Sequence, residues 1–383
     1  MPGLQNIKIS GFKSIRDLGP DGLALNRINI LIGENGAGKS NLVSFFKLLN
    51  FMLTDGLQIW IGRSGGASSL LHYGPKVSPI ISAAIQFETS KGLNEYAMDL
   101  AYAAGDKLIF TNEIIKFRSF ESTKEKPYEA SLGAGQSESL LRDVAYGTGA
   151  KSSTAKVIRR LLETTKVFHF HDTSETARIK EHAYIEDSRF LRSDAGNLAA
   201  RLFALKTSHV KHYLRIVSMI QQIAPFFGDF ILEPSSTNKK SILLQWSERG
   251  SDQLFGPHQL SDGTLRFMAL ATLLLQPAAD LPDVIIVDEP ELGLHPAAIS
   301  VLGAMVHTAS EKSQILMTTQ SPKLLDEFDP QDIIVTSRIQ SSRRGQFESK
   351  FERLEPEPLK AWLADYCLSD LWDKNVLGGR PSR

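Results

Sequence analysis

Apolar residues along this chain change period several times, and each change marks an element. Residues 4–10 alternate apolar and polar, the pattern of a half-buried strand. Ile28-Asn29-Ile30-Leu31-Ile32 is a short apolar run stopped by glycine, which predicts a buried strand. From Asn41 to Leu53 the apolar positions 42, 43, 45, 46, 48, 49 and 52 recur at helical spacing. Residues 80–88 and 95–117 predict antiparallel strands, with turns near Lys91-Gly92 and Gly105-Asp106. Residues 118–155 are polar and rich in Ser, Gly, Lys and Glu, and they predict a loose, mobile insertion. A helix is expected over 154–165 and a helical block over 196–225, followed by two strands flanking a turn at 235–240.

After residue 258 strands and helices alternate. Helix 261–276 precedes strand 284–287, helix 296–310 precedes strand 314–318, and strands near 332–336 and 347–353 follow. This alternation predicts an α/β fold: a mixed, mainly parallel core sheet, an antiparallel lobe and a helical insertion. The expected divisions are 1–117, an insertion over 118–228, a second core half over 229–377, and a disordered tail over 378–383.

Composition narrows this only a little. With 383 residues there is length enough for a large core. Lysine plus arginine equals aspartate plus glutamate, so no global basic field announces nucleic acid, although a local basic groove stays open. A single cysteine, Cys367, excludes an internal disulfide framework and fits a reducing, cytoplasmic setting. The N-terminus lacks a signal-peptide pattern, and no apolar run reaches membrane-spanning length.

The chemistry lies in five segments. Gly33-Glu34-Asn35-Gly36-Ala37-Gly38-Lys39-Ser40 fits G-x-x-x-x-G-K-[ST], between a strand and a helix that begins near Asn41. Glycines let backbone N–H groups converge on phosphate oxygens; Lys39 would reach the β- and γ-phosphates, and Ser40 would hold Mg²⁺. Asp288 and Glu289 end the aliphatic run Val284 to Val287, at the strand end where open α/β sheets place ligands. Asp288 would hold Mg²⁺, and Glu289 would orient the attacking water. Leu260-Ser261-Asp262-Gly263-Thr264 opens a helix, with Ser261 as cap or anion contact. Glu291 to His295 follows the acidic strand, and Thr318-Thr319-Gln320-Ser321 ends the next one.

In this order the segments resemble the ABC-type ATPase superfamily, in its SMC, RecF and OLD-like branch. The resemblance covers roughly residues 1–117 and 229–353. It implies that ATP is held between two subunits arranged head to tail, with Ser261 and Gly263 facing the nucleotide of the opposite subunit. It makes Glu291 to His295 a loop across the dimer interface. Gln320 takes the place of a γ-phosphate-sensing histidine; glutamine cannot take up a proton, so slow turnover is expected. Asp262 and Thr264 depart from the transporter pattern of glycine and glutamine. Ile9 to Ile15 resembles the opening strand of SMC-like heads, so Lys13 is either a phosphate contact or a surface lysine.

Phe168-His169-Phe170-His171-Asp172-Thr173-Ser174 and Asp194 to Ala199 resemble bacterial AAA-type ATPases of the OLD-like group, which often act in defence against phage or plasmids. His171 and Asp172 either reach the nucleotide site or are ordinary structure; His169, His171 and His182 form no complete metal set. Gln86 is a weaker candidate to link the insertion to Mg²⁺. The chain ends about thirty residues after its last strand pattern, too few for a Toprim nuclease, so a separate effector protein is expected. Basic pairs at Arg159-Arg160, Lys239-Lys240 and Arg343-Arg344, with Arg189 and Arg192 beside Phe190, leave DNA open as a partner. A nucleotide-gated scaffold and a RecF-type repair ATPase are the two alternatives to a defence ATPase.

Overall fold

A computed structural model describes residues 3–121, 126–341 and 345–379. Arg343-Arg344 and residues 380–383 of the expected tail lie outside the described residues.

Two large sheets organise the described residues, beside a three-stranded and a two-stranded one. The core sheet has six strands, in the spatial order Phe347–Arg353, Ile333–Gln340, Ile28–Ile32, Gln314–Thr319, Val284–Asp288, Thr165–Phe168. Neighbours are parallel except for the hairpin of Ile333–Gln340 with Phe347–Arg353. Both faces of this sheet are covered, which is why its central strands are mostly aliphatic, with buried Asn29 as an exception. Ile30, Ile32, Ile285, Val287, Ile315 and Met317 pack into one hydrophobic cluster with helices Leu198–Ser208, Val210–Ile223, Asp262–Leu275 and Pro296–Ser310. Leu31, Val284, Ile286, Leu316 and Ile334 face the other way, onto helix Lys39–Met52.

That helix is sandwiched. Its far side meets an antiparallel sheet built on Gly3–Phe12, Ile80–Thr89, Gly92–Ala103 and Lys107–Ser119. Phe45, Phe46, Leu48 and Leu49 are buried between the two sheets. The segment carrying phosphate chemistry is thus fixed by apolar packing on both sides.

The insertion differs from its expectation. Tyr128–Gly133 adds a strand to the antiparallel sheet, and helix Gly149–Glu163 buries Ile158, Leu161 and Leu162 against it. Thr165–Phe168 is an edge strand of the core sheet itself, paired to Val284–Val287. A division at 118–228 therefore cuts through both sheets. The polar stretch 118–155 hid a strand because Tyr128–Gly133 lies at a sheet edge, with only Leu132 buried. The block 196–225 is two helices broken at His209, whose backbone is non-helical.

Candidate nucleotide site

The loop from Gly33 to Gly38 joins the central strand Ile28–Ile32 to helix Lys39–Met52, at the carboxyl end of the parallel strands. Gly36 and Gly38 have φ of +80° and +116°, which favours glycine. A Cβ at Gly33 would stand 2.2 Å from the Thr336 carbonyl oxygen, so the neighbouring strand backs the loop directly. The helix has no side-chain cap and no acidic residue in its first turn. Its free N–H groups and positive end are suited to phosphate.

Lys39 is almost fully buried, 4% exposed. Its ammonium donates to the carbonyls of Gly33 at 2.5 Å and Glu34 at 3.1 Å, spanning the loop. Burial lowers its pKa, and Glu289, Glu291, Asp288 and Glu34 oppose that shift. Ser40 Oγ lies 3.5 Å from Asp288 Oδ1. Hydroxyl and carboxylate oxygens at this spot are the hard donors that Mg²⁺ takes. Asn41 donates to Ser14 Oγ at 2.6 Å, one turn into the helix.

Strand Gln314–Thr319 is laced to the acidic strand at successive residues. Thr318 Oγ1 donates to Asp288 Oδ1 at 2.5 Å. The backbone N–H of Glu289 donates to Thr318, to its carbonyl and its hydroxyl, both at 3.1 Å. These bonds hold Glu289 at φ +43°, a strained value for a non-glycine residue of the kind found at functional sites. The Gln320 amide donates to the Glu289 carboxylate. Glu291 Oε1 accepts from Thr319 Oγ1 at 2.6 Å and from the Gln320 N–H at 3.0 Å. Its second oxygen is buried without a partner, and desolvation raises its pKa. Glu291 therefore ties the loop after the acidic strand to the residue expected to sense phosphate.

Ser261 caps helix Asp262–Leu275, its Oγ accepting from the Thr264 N–H at 3.2 Å. Asp262 is paired at 3.8 Å with Lys180. A Cβ on Gly263 would meet the Gly293 carbonyl at 2.1 Å, so the two loops touch. Arg266, one turn on, donates to the carbonyls of Leu292 and His171, both at 2.9 Å, and to Thr173 Oγ1 at 3.2 Å. His295 caps helix Pro296–Ser310, accepting from Ala297 N–H at 3.2 Å.

Of the earlier candidates, Lys39, Ser40, Asp288, Glu289 and Gln320 come together. Ser261 and Gly263 lie on a separate face with Gly293. Lys13, at φ +48°, donates to Ser44 Oγ at 2.7 Å, one helical turn beyond Ser40. His171 Nε2 is 2.8 Å from the Asp288 carbonyl, whereas Gln86 lies mid-strand opposite Asn6 and Glu95. Among the described residues no three His, Cys, Asp or Glu side chains cluster as metal ligands. Arg159, Lys240 and Arg192 pair with the nearby acids Glu163, Glu186 and Asp187. No helix of the described residues is long and apolar enough to cross a membrane.

Several contributors escaped sequence reading. Ser349 Oγ donates to the Ala37 carbonyl at 2.5 Å and lies 2.6 Å from Ser14 Oγ, bracing the loop from behind. Thr318, Glu291 and Arg266 act through geometry alone; Thr318 and Glu291 stood inside quoted segments, and nothing in their spacing singled them out.

Solved structures share this arrangement at low identity. An SMC head bound to the C-winged helix domain of ScpA matches with a TM-score of 0.58 and 14% identity, over 93% of this chain and 99% of that one. The SMC head with an extended coiled coil, bound to the C-terminal domain of ScpA derived from Pyrococcus furiosus, matches equally, over 95% and 99%. One from Pyrococcus yayanosii gives 0.52 and 13%, over 95% and 99%. At such identity these matches establish the fold, an SMC-type P-loop head. No curated protein matches the chain in sequence. A family model does, across residues 28–326, and on that match the chain belongs to the family described as "AAA domain, putative AbiEii toxin, Type IV TA system".

Proposed function

We propose that this chain is an ABC-type ATPase that binds ATP, closes head to tail with a second copy around two nucleotides, and hydrolyses them slowly. The observation that carries this reading is the convergence of Lys39 and Ser40 with Asp288, Glu289 and Gln320 at one end of the parallel sheet. Lys39 would exchange the Gly33 and Glu34 carbonyls for β- and γ-phosphate oxygens. Glu289 would hold the attacking water in line, with Gln320 fixing the carboxylate's orientation. Mg²⁺ on Ser40 and Asp288 would supply charge neutralisation at the phosphates. Ser261 and Gly263 would face the γ-phosphate held by the other copy. In the cell, ATP-driven closure would control a separate effector in defence against phage or plasmids. The toxin and TA-system wording of the family description supports that part of the reading.

A second reading, a nucleotide-gated scaffold with little turnover, is favoured by one contact. The Gln320 amide holds one oxygen of the Glu289 carboxylate and leaves the other to accept from water, but a glutamine there cannot take up a proton, which favours slow or no turnover. Hydrolysis and molecular mass measured together, for wild type and Glu289→Gln, with and without double-stranded DNA, separate the readings. Turnover in wild type and an ATP-locked dimer in the variant support the ATPase. ATP-dependent assembly without phosphate release supports the scaffold, and DNA stimulation points to a repair-type role. Absence of ATP binding sinks both.

A further inference from the structure

On the flank of helix Lys39–Met52, away from its phosphate end, lies a cavity of about 430 Å³, in the size range of small-ligand sites. One wall is the last part of that helix and the turn after it, with Lys47, Asn50 and Phe51. The other is the edge strand Thr165–Phe168, with Lys166, then His169 and Ser193.

Its charge is unbalanced. Lys47 and Lys166 have no ion pair or hydrogen-bond partner among the described residues. Arg201, Lys180 and Lys116, by contrast, each pair with an acid: Asp280, Asp262 and Glu95. Lys166 is the more exposed of the two cavity lysines. Lys47 lies close enough to Lys13 and His169 to lower the pKa of both, after burial itself. Burial likewise lowers that of Lys166, which Glu163 partly opposes. The one carboxylate in the lining, Asp194, is already engaged, accepting from the Gly196 N–H at 3.0 Å and pairing with Arg178 at 3.7 Å. The His169 Nδ1 atom is buried with no partner, and its ring lies 4.1 Å from that of His171, which touches the Asp288 carbonyl. Glu163, Asp172 and Asp288 offset these groups only in part, and a bound anion would ease the remaining repulsion between the two lysines.

We propose that this cavity binds a phosphate ester, carried by a single nucleic-acid strand whose backbone crosses between Lys47 and Lys166. Two ammonium groups, the free amide of Asn50 and the Ser193 hydroxyl suit phosphate and sugar oxygens. The Phe51 ring, already stacked at 6.4 Å on Trp60, offers a face for a base. The His169–His171 contact leads from this cavity to the backbone of Asp288. The binding itself does not rest on ATP hydrolysis.

The test is fluorescence anisotropy of a short labelled single strand against the full chain. Wild type is compared with Lys47→Glu/Lys166→Glu and with a charge-matched control on a distant surface, Lys211→Glu/Lys312→Glu. The cavity variant is expected to bind about tenfold or more weakly, and the salt slope to fall by about two, one per lost phosphate contact. The control should stay within about threefold of wild type. Equal losses in both variants, no loss in the cavity variant, or no binding by wild type overturns the proposal. Should the glutamate pair fail to fold, Lys47→Gln/Lys166→Gln replaces it, with the same expected direction. Inorganic phosphate, followed by ³¹P line broadening, separates the sources. Broadening lost in the cavity variant, without strand binding, keeps the phosphate site and overturns the nucleic-acid part.

Discussion

The two halves of the proposed nucleotide machinery are built differently. Lys39 and Asp288 are buried, 4% and 8% exposed, and each is held by bonds from neighbouring loops or strands. Ser261, Asp262 and His295 are exposed, and the turn at Ser261–Thr264 is anchored mainly from beneath, through Gly263 against Gly293 and Arg266 on Leu292. The first half has a finished interior; the second presents a prepared surface. A P-loop must be rigid before ligand arrives, because its backbone donors have to converge on one point. A surface that completes a site on another copy needs only correct placement of its tips.

Several changes would test this contrast, beginning with the largest effect. Lys39→Ala should reduce ATP affinity by about 100-fold or more, read by calorimetry, since Lys39 is the cation buried within the loop. Gly263→Ala should leave ATP binding near wild type but abolish the ATP-dependent shift in mass. Its Cβ has no room against the Gly293 carbonyl, so the exposed half alone is displaced. Loss of ATP binding in Gly263→Ala would show that the halves are not separable. Glu291→Ala should cut kcat about tenfold with little change in KM, because the tether to Thr319 and Gln320 is lost while the loop stays intact. Glu291→Gln keeps the accepting oxygen and should restore most of the rate. A matching rise in KM in Glu291→Ala would place Glu291 in binding instead.

The smallest effect concerns pH. Burial, together with the nearby His171 and Lys47 side chains, pushes the His169 pKa down from 6.5 to about 4. The unfolded chain therefore takes up this proton first, and stability falls as pH drops from about 6.5 towards 4. His169→Asn should flatten that part of a stability-versus-pH curve, measured by urea denaturation. An unchanged curve would mean that the ring is not sheltered.

What was legible in the sequence follows the range of the interactions concerned. The P-loop, the acidic strand and helix Pro296–Ser310 are local patterns, because their chemistry depends on consecutive residues and on period. Strand Thr165–Phe168 was not legible: four residues carry little periodicity, and its place is set by pairing with residues 284–287. The Ser349 brace lies more than 300 residues from the loop it supports, and no spacing rule links them. Lys13 drew notice through its segment, but its reach was set by the left-handed turn at Lys13, which directs the ammonium to Ser44.

That brace has a consequence for biogenesis. The central strand Ile28–Ile32 is among the first made, yet it is flanked by Gln314–Thr319 and Ile333–Gln340, among the last. The loop that follows it is propped by Ser349. The loop's partners lie about 300 residues downstream, so its supports form only after a long stretch of chain has been made. A chain cut short before residue 314 would lack both neighbours of the strand that carries the loop, as well as the Ser349 prop on the loop itself.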